Sequence, residues 1–165
     1  ALTRLEAEGK ADTDAADRLR ESLEKLENDI ITIRKRSANT RAGNIYVISN
    51  IGAFGEGVVQ IGLTRRYNPY ERISELSNSS VPFQYDVHTM FFDDDAVGIE
   101  DKLHRRLEQR RINKVNRRRE FFRATPAEVR DHLRELTNTY FEFVDQPEAV
   151  QYHQSRNVER DTNSN

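Results

Sequence analysis

The sequence predicts a mixed α/β (α+β) domain that follows a long N-terminal helix. From Ala16 to Ile33, six apolar residues recur at heptad spacing, and this period indicates a helix with one apolar stripe. Two runs rich in β-branched residues, 44–50 and 58–63, flank a glycine-rich connection, which indicates a β-hairpin. Five of the seven glycines lie in residues 43–64, where the backbone must turn sharply or let another group approach closely.

The heptad helix is predicted to run from about Thr13 to Arg36, with Asp12 or Thr13 as its N-cap. About three heptads are marginal for an independent coiled coil. The stripe must therefore pack on a sister chain, which we favour and which would make a homo-oligomer, or on the chain's own domain. The stripe consists of Ala16, Leu19, Leu23, Leu26, Ile30 and Ile33.

Six further elements are predicted after the hairpin. Pro69 suits the first turn of a short helix that ends near Asn78, and residues 84–92 alternate well enough for a third strand. The acidic residues 93–95 favour the start of a helix that runs to about Arg111. The last three are an extended stretch at 119–123, a helix at 126–136 behind the capping pair Thr125 and Glu128, and a strand at 140–144.

The predicted organisation has three parts. A helical, coiled-coil segment occupies residues 1–40, and a globular domain occupies residues 41–145. After Asp145 the apolar pattern is lost, so residues 146–165 are predicted to form a disordered tail.

Composition narrows the setting and the chemistry. The chain has no cysteine, which excludes disulfides, a thiolate nucleophile and a thiolate zinc site, and which fits a cytoplasmic location. No apolar run approaches the ~20 residues that span a bilayer. Because the sequence starts at Ala1 rather than methionine, we expect a fragment, and any membrane association of the full-length protein would come from a missing N-terminal part.

The charge distribution favours a nucleic-acid partner. The formal net charge is only -2, yet residues 100–123 contain ten Lys or Arg against four Asp or Glu. Such a local excess of positive charge is typical of a phosphate-binding surface. The alternative interpretation of a charge run is a solvated helix face.

Several polar residues match a known arrangement. In this order, Tyr46, Gly62, Arg72, Glu100 and Asn116 resemble the GIY-YIG nuclease superfamily. The branch they resemble most is the bacterial and phage one named for a meiotically up-regulated gene. The elements shared with that branch are Ile61-Gly62-Leu63-Thr64, Glu100-Asp101-Lys102-Leu103-His104 and Arg119-Glu120-Phe121-Phe122. The resemblance covers about residues 43–137.

This resemblance implies a small antiparallel three-stranded sheet flanked by helices, and metal-assisted hydrolysis of DNA phosphodiesters. It implies that Tyr46 accepts or relays a proton from the attacking water, which at neutral pH requires that a cation or hydrogen bond favour the phenolate. Arg72 would clamp the scissile phosphate with its planar, permanently charged fork, unless it only pairs with Glu71 or Glu75. Glu100 would hold one Mg²⁺ or Mn²⁺ ion.

The remaining candidate residues leave alternatives open. His104 lies one helical turn from Glu100, so it would share the metal region, contact phosphate, relay a proton, or remain an ordinary helix histidine. Gln60 stands where many members have tyrosine, and its amide would position a water by hydrogen bonding. Asn116, with Asn113 as its rival, would orient the loop or contact phosphate. Glu120 would support the site or pair with an arginine.

Phosphate binding is predicted for Arg105, Arg111 and Lys114 together with Asn116. Contacts of this type supply affinity without sequence information and weaken with salt. The sequence therefore predicts a metal-dependent DNA endonuclease on a helical oligomerisation segment. The helical segment ahead of this domain also resembles bacterial phage-defence proteins, which implies a role against phage DNA. The alternative is a non-catalytic module that binds DNA or protein on a coiled-coil scaffold.

Overall fold

The computed structural model describes residues 13–163, which belong to two compact units, Ala1–Thr40 and Arg41–Asn165. Within the first unit the predicted heptad helix is confirmed as helix α1, Thr13–Ala38. The alternative cap Asp12 lies outside the described residues. Five large apolar side chains on this helix remain exposed, namely Leu23, Leu26, Ile30, Ile31 and Ile33.

The second unit alternates strands and helices. Its strands are β1 (Gly43–Ser49), β2 (Val58–Thr64), β3 (Asp86–Asp93) and β4 (Phe121–Arg123). Its helices are α2 (Ile51–Phe54), α3 (Tyr70–Leu76), α4 (Ala96–Arg106), α5 (Pro126–Leu136) and α6 (Val150–Asn163), with a 3₁₀ turn at Glu108–Arg110.

The four strands form one antiparallel sheet in the order β3-β1-β2-β4. The predicted hairpin is confirmed, since β1 pairs with β2 and places Tyr46 opposite Gly62. The connection contains the short helix α2, and it ends on Gly55 and Gly57, whose φ angles are 78° and 72°. Residues other than glycine rarely adopt such φ angles, which explains why two glycines occur in this connection.

One face of the sheet is covered by α4 and α5. Ile45 and Val47 from β1 and Val59 and Ile61 from β2 are fully buried there. They pack with Phe122 from β4 and with apolar residues of the two helices, Ile99, Leu103, Val129 and Leu133. The predicted capping box of α5 is present, with Thr125 and Glu128 each accepting from the other's backbone N–H.

The opposite face carries the alternate residues of the same strands. Tyr46 and Ile48 from β1 pack there against Ile73 of α3. Because side chains alternate along a strand, Gln60 and Gly62 of β2 share this face with Tyr46. We call it the site face, defined by Tyr46, Gln60 and Gly62.

The predicted fold class is confirmed as a mixed α/β domain with an antiparallel sheet flanked by helices and an N-terminal helix. The predicted number of three strands is too small, because residues 121–123 pair with β2 as a fourth strand. The predicted strand at 140–144 is wrong. That segment lies along β3, but side-chain contacts rather than a backbone ladder attach much of it. Thr89 Oγ1 donates to the Glu142 carbonyl at 2.7 Å, and Phe141 stacks on Phe91.

The predicted disordered tail is also wrong over Val150–Asn163, which forms helix α6. The helix lacks an apolar stripe, so hydrophobic periodicity could not reveal it. Tyr152 attaches it by an edge-on ring contact to Phe83, with centroids 5.7 Å apart. Across residues 13–163, none of the helices is long and apolar enough to cross a membrane.

Candidate active site

Gly62 opens the centre of the site face. A Cβ atom at this position would lie 2.5 Å from Tyr46 Oη and 3.0 Å from Glu120 Oε2. Only glycine therefore lets the phenol cross β2 and lets the carboxylate approach the same point. The sequence motif around Gly62 thus has a direct steric reason.

Arg72 reaches the same point from helix α3. Its guanidinium hydrogen-bonds the Tyr46 hydroxyl, and its Nη1 lies 3.5 Å from Glu75 Oε2. Tyr46 is only 1% exposed, whereas 40% of the Arg72 side chain is exposed. The buried phenol can therefore orient an arginine that remains open to a ligand.

Glu100 and His104 lie one turn apart on α4 and bind the part of β2 that β4 does not cover. Strand β4 pairs only with residues 58–60, so the outward backbone groups of Ile61 and Leu63 need other partners. His104 Nε2 donates to the Ile61 carbonyl at 2.9 Å, and the Leu63 N–H donates to the Glu100 carboxylate. Local backbone pairing thus fixes both side chains beside the site face.

Glu120, the residue directly before β4, completes the cluster. Its carbonyl accepts the Ile61 N–H at 3.1 Å, which fixes its backbone against β2. Ligand atoms of Glu100, His104 and Glu120 all lie within 4.8 Å of one another. Glu120 was predicted only to support the site or to pair with an arginine, and its place beside Phe121 and Phe122 was the available signal for a direct role.

The charged forms of the Glu100 and Glu120 carboxylates are unfavourable in this position. Burial, reinforced by Glu120 and Asp101, raises the pKa of Glu100 to about 7. Burial also raises the pKa of Glu120, against the opposing effect of Arg111 and Arg72. A cation between them would relieve both effects.

Tyr46 is a phenol at neutral pH. Burial raises its pKa, and although the hydrogen bond from Arg72 opposes that change, Glu120 and Glu100 add to it. The condition for proton acceptance, that a cation or hydrogen bond favour the phenolate, is therefore not met by Arg72 alone. A divalent ion beside Glu100 would shift the balance toward the phenolate.

His104 is held as a neutral ring. Burial lowers its pKa, and Arg111 lowers it further, against the hydrogen bond to Ile61. The ring packs at 5.0 Å between centroids against Phe122. Because the Nε2 that faces Glu100 at 4.0 Å carries the proton given to Ile61, this nitrogen is not set to coordinate a metal.

Gln60 lies on the site face, 7% exposed, opposite Ile48 and Phe121. Its Oε1 is buried and has no hydrogen-bond partner among residues 13–163. A buried polar atom without a partner normally costs stability. An apolar residue at this position would avoid that cost.

The predicted phosphate-binding residues separate into two groups. Arg105 and Lys114 are exposed, Arg105 pairing with Asp101 at 2.8 Å and Lys114 donating to the Gln109 carbonyl. Arg111 is 3% exposed and lies over the Phe122 ring at 4.7 Å, so it is not on the surface where the sequence placed it. Its Nη1 donates to the Arg117 carbonyl and fixes the basic loop, residues 112–119.

Both candidate asparagines shape this basic loop. Asn113 Oδ1 accepts the backbone N–H groups of Val115 and Asn116, and Asn116 Oδ1 accepts that of Arg118. Each carboxamide oxygen is therefore used inside the loop. The orienting role predicted for Asn116 is consistent with these bonds, and its contact with phosphate stays a prediction.

The donor set fits a small divalent cation. Mg²⁺ binds oxygens at about 2.0–2.1 Å, so two donors on one ion lie at most about 4.2 Å apart. The 4.8 Å limit on the cluster is close to this value, and small side-chain rotations would close the difference. Glu100 and Glu120 supply the hard oxygen ligands that Mg²⁺ and Mn²⁺ accept.

The fold and the site together define a mixed α/β domain that gathers an arginine, a buried tyrosine and paired carboxylates at one position of its sheet. The model of the T5orf172 domain family matches residues 43–137, and the chain belongs to this family. The family is associated with nuclease-like and DNA-binding function. Comparisons with curated proteins and with solved structures found no match.

This finding corrects the resemblance inferred from the sequence. The matching family is the T5orf172 domain, and no GIY-YIG family matches, so the assignment to the GIY-YIG superfamily and its meiotic-gene branch is wrong. The assignment rested on short motifs, each weakly specific, whereas a family model compares the whole stretch. The role against phage DNA rested on the same resemblance and loses its support.

Proposed function

We propose that this domain is a metal-dependent DNA endonuclease that hydrolyses phosphodiester bonds. The observation that carries the proposal is the convergence at Gly62. There the Tyr46 hydroxyl hydrogen-bonds Arg72 and interacts electrostatically with Glu100 and Glu120. These residues come from four segments far apart in sequence, and a purely structural role does not require two half-buried carboxylates to meet.

Glu100 and Glu120 are the residues that would hold Mg²⁺ or Mn²⁺. When bound, such an ion supplies charge neutralisation at the phosphate and a more acidic water. The backbone of β2 fixes both residues: the Leu63 N–H donates to the Glu100 carboxylate, and the Ile61 N–H donates to the Glu120 carbonyl. His104 is a positioning residue. Its hydrogen bond to the Ile61 carbonyl holds the edge of β2, and the backbone of this edge binds both Glu100 and Glu120.

Arg72 binds the scissile phosphate. Its fork can donate two parallel hydrogen bonds to phosphate oxygens, and its charge is permanent. The Tyr46 hydroxyl oxygen accepts a hydrogen bond from the guanidinium and so orients it, and the raised pKa keeps the hydroxyl protonated at neutral pH. A bound cation would lower the pKa of Tyr46 and so favour proton acceptance by the phenol, whereas the hydrogen bond that orients Arg72 needs no cation.

The basic loop supplies non-specific affinity for the DNA backbone. In the loop Lys114 is exposed and Arg117 has 69% of its side chain exposed, and Arg105 on helix α4 is exposed as well. Internal hydrogen bonds from Asn113 and Asn116 hold the loop in shape before DNA arrives. Preorganisation of this kind lowers the entropic cost of binding.

A supercoiled plasmid with and without Mg²⁺ or Mn²⁺ tests the proposal. The wild-type chain should nick or cut it, and chelation with EDTA should stop the reaction. Glu100→Gln and Arg72→Lys should each lower the rate by roughly 100-fold or more. Glu159→Gln, an exposed carboxylate on α6, is the matched control and should leave the rate unchanged. Equal cleavage by all four proteins would exclude this site as the catalytic one.

A non-catalytic DNA-binding module is the second candidate. It is favoured by the 1% exposure of Tyr46 and by the amide of Gln60, which cannot transfer a proton. It predicts salt-sensitive DNA binding and no metal-dependent product. The plasmid assay therefore separates the two functions.

We further propose that a second copy of this chain covers the apolar stripe of α1. Leu26 is 58% exposed and Ile30 is 48% exposed, and both repeat the heptad spacing. Sedimentation equilibrium of the full chain should give an oligomer, and Leu26→Glu with Ile30→Glu should give a monomer. An unchanged mass for the double variant would refute pairing through α1.

A further inference from the structure

Three aromatic rings from separate segments meet beside the site. Phe54 of α2 contacts Phe121 of β4 edge-on, with centroids 5.2 Å apart, and contacts Tyr85 at 6.3 Å. Phe54 is 42% exposed although it is one of the largest apolar side chains. We call this surface the aromatic shelf, defined by Phe54, Tyr85 and Phe121.

The aromatic shelf belongs to the site face. Phe122 is buried in the core on the other side of the sheet, so its neighbour Phe121 points to the side of Tyr46. Phe121 directly follows Glu120, whose carboxylate lies over Gly62. Tyr85 interacts electrostatically with Tyr46. The shelf is therefore continuous with the position proposed for the scissile phosphate.

Gln60 lies next to the shelf. It pairs in register with Phe121, and its Oε1 is the buried side-chain atom that has no partner within residues 13–163. A polar atom without a partner next to one exposed ring, Phe54, and two half-buried rings suits a ligand that combines a flat apolar face with a polar edge. A nucleobase has that combination.

Base pairing decides which nucleobase can use the shelf. In an intact duplex both faces of a base are covered by its neighbours, so stacking on a protein ring requires an unpaired or extruded base. Aromatic side chains beside a phosphate-binding surface are the usual means of holding single strands. The basic loop and Arg72 provide that surface here, which favours DNA over an apolar protein partner.

We propose that the substrate carries an unpaired nucleotide next to the phosphodiester held by Arg72, and that its base stacks on Phe54 and Phe121. The inference rests on the proposed function for its placement of the phosphate. It goes beyond that function by naming the structural class of DNA, namely single-stranded, bulged or gapped DNA rather than continuous duplex.

Binding by the non-cleaving Glu100→Gln chain tests the inference without turnover. The probes are a continuous duplex and the same duplex with one bulged 2-aminopurine. Glu100→Gln should bind the bulged probe at least ~10-fold more tightly and quench its fluorescence. Adding Phe54→Ala should remove the preference and the quenching while leaving duplex affinity unchanged, and Phe54→Trp should restore both.

Tyr140→Ala is the matched control, because this ring is 84% exposed and lies outside the shelf. Equal affinity of Glu100→Gln for the two probes, absence of binding to either, or an unaffected preference after Phe54→Ala would overturn the proposal. Cleavage by the wild-type chain without a preference for the bulged probe would refute base stacking on the shelf and support the proposed nuclease function. A preference for the bulged probe without cleavage by the wild-type chain would support base stacking on the shelf and refute the nuclease function.

Discussion

The two faces of strands β1 and β2 use alternate residues of one hairpin for opposite purposes. On the core face Ile45, Val47, Val59 and Ile61 are fully buried among apolar neighbours. On the site face Tyr46 is equally buried, yet charged groups surround it. The core face therefore gains stability from burial, whereas the site face keeps groups whose burial is unfavourable.

The difference shows where this domain gives up stability for chemistry. Burial of apolar surface contributes about 25 cal/mol per Å². Burial of Glu100 instead raises its pKa to about 7, which is a direct sign of an unfavourable charged form. Substitutions in the core should therefore lower the free energy of unfolding, whereas neutralising a carboxylate of the site should raise it and lower activity.

Phe122→Ala on the core face should have the largest effect. The ring is fully buried and contacts both His104 and Arg111, so its loss leaves a cavity and removes support from the site. The free energy of unfolding should fall by about 3–5 kcal/mol. Urea unfolding measures this, and a loss below about 1 kcal/mol would contradict the assignment of Phe122 to the core.

Glu100→Gln, at the edge of β2 beside the site face, should change stability with the opposite sign. The pKa of Glu100 lies above its ordinary value of 4.5, so the folded chain binds the proton more tightly. Its contribution to stability is present below pH 4.5 and is lost as the pH rises through about 7. At pH 8 without divalent ions, Glu100→Gln should be more stable than wild type by on the order of 2–3 kcal/mol.

Urea unfolding at pH 5 and pH 8 checks this expectation. The wild type should lose stability between the two values relative to Glu100→Gln, and Glu159→Gln should follow the wild type. Parallel pH dependence of all three chains would show that Glu100 is not destabilised by burial.

Gln60→Met should have a smaller stabilising effect. Methionine has a similar length and removes the buried Oε1 that has no partner among the described residues. The free energy of unfolding should rise by about 1 kcal/mol. Thermal unfolding measures it, with the exposed Gln109→Met as control, and a net loss would indicate that Gln60 makes a stabilising contact.

Arg105→Gln should have the smallest effect on stability. Its side chain is 75% exposed and its ion pair with Asp101 is solvated, so unfolding should change by less than about 0.5 kcal/mol. Its effect belongs to DNA binding, where the salt dependence should fall by roughly one phosphate contact. Arg111→Gln, buried against Phe122, should instead destabilise the fold, and equal behaviour of the two would remove this distinction.

The elements with strong local patterns were predictable from the sequence. Helix α1 follows from its heptad stripe, the hairpin from its β-branched runs, and α5 from the capping pair Thr125 and Glu128. In each case a pattern of neighbouring residues was enough to indicate the element. Helix α6 has no apolar stripe and contacts the rest of its unit through Tyr152 and Phe83, which are far apart in sequence, so no local pattern indicated it.

The site was only partly predictable for the same reason. Tyr46, Arg72 and Glu100 were singled out, and the structure brings them together. The approach of Glu120 depends on the missing Cβ of Gly62, which is a contact between strands rather than a pattern along one. The burial of Arg111 was also hidden, because in the sequence it is one arginine in a charged run.

Proton release on cation binding tests the central claim most directly. Calorimetric titration of Mn²⁺ at pH 7, in buffers of different ionisation enthalpy, reports the protons displaced per ion. If Glu100 and Glu120 bind the ion, the wild type should release roughly half a proton or more, and Glu100→Gln should bind weakly with little release. Equal affinity and equal proton release in the two chains would contradict a divalent cation site at Glu100.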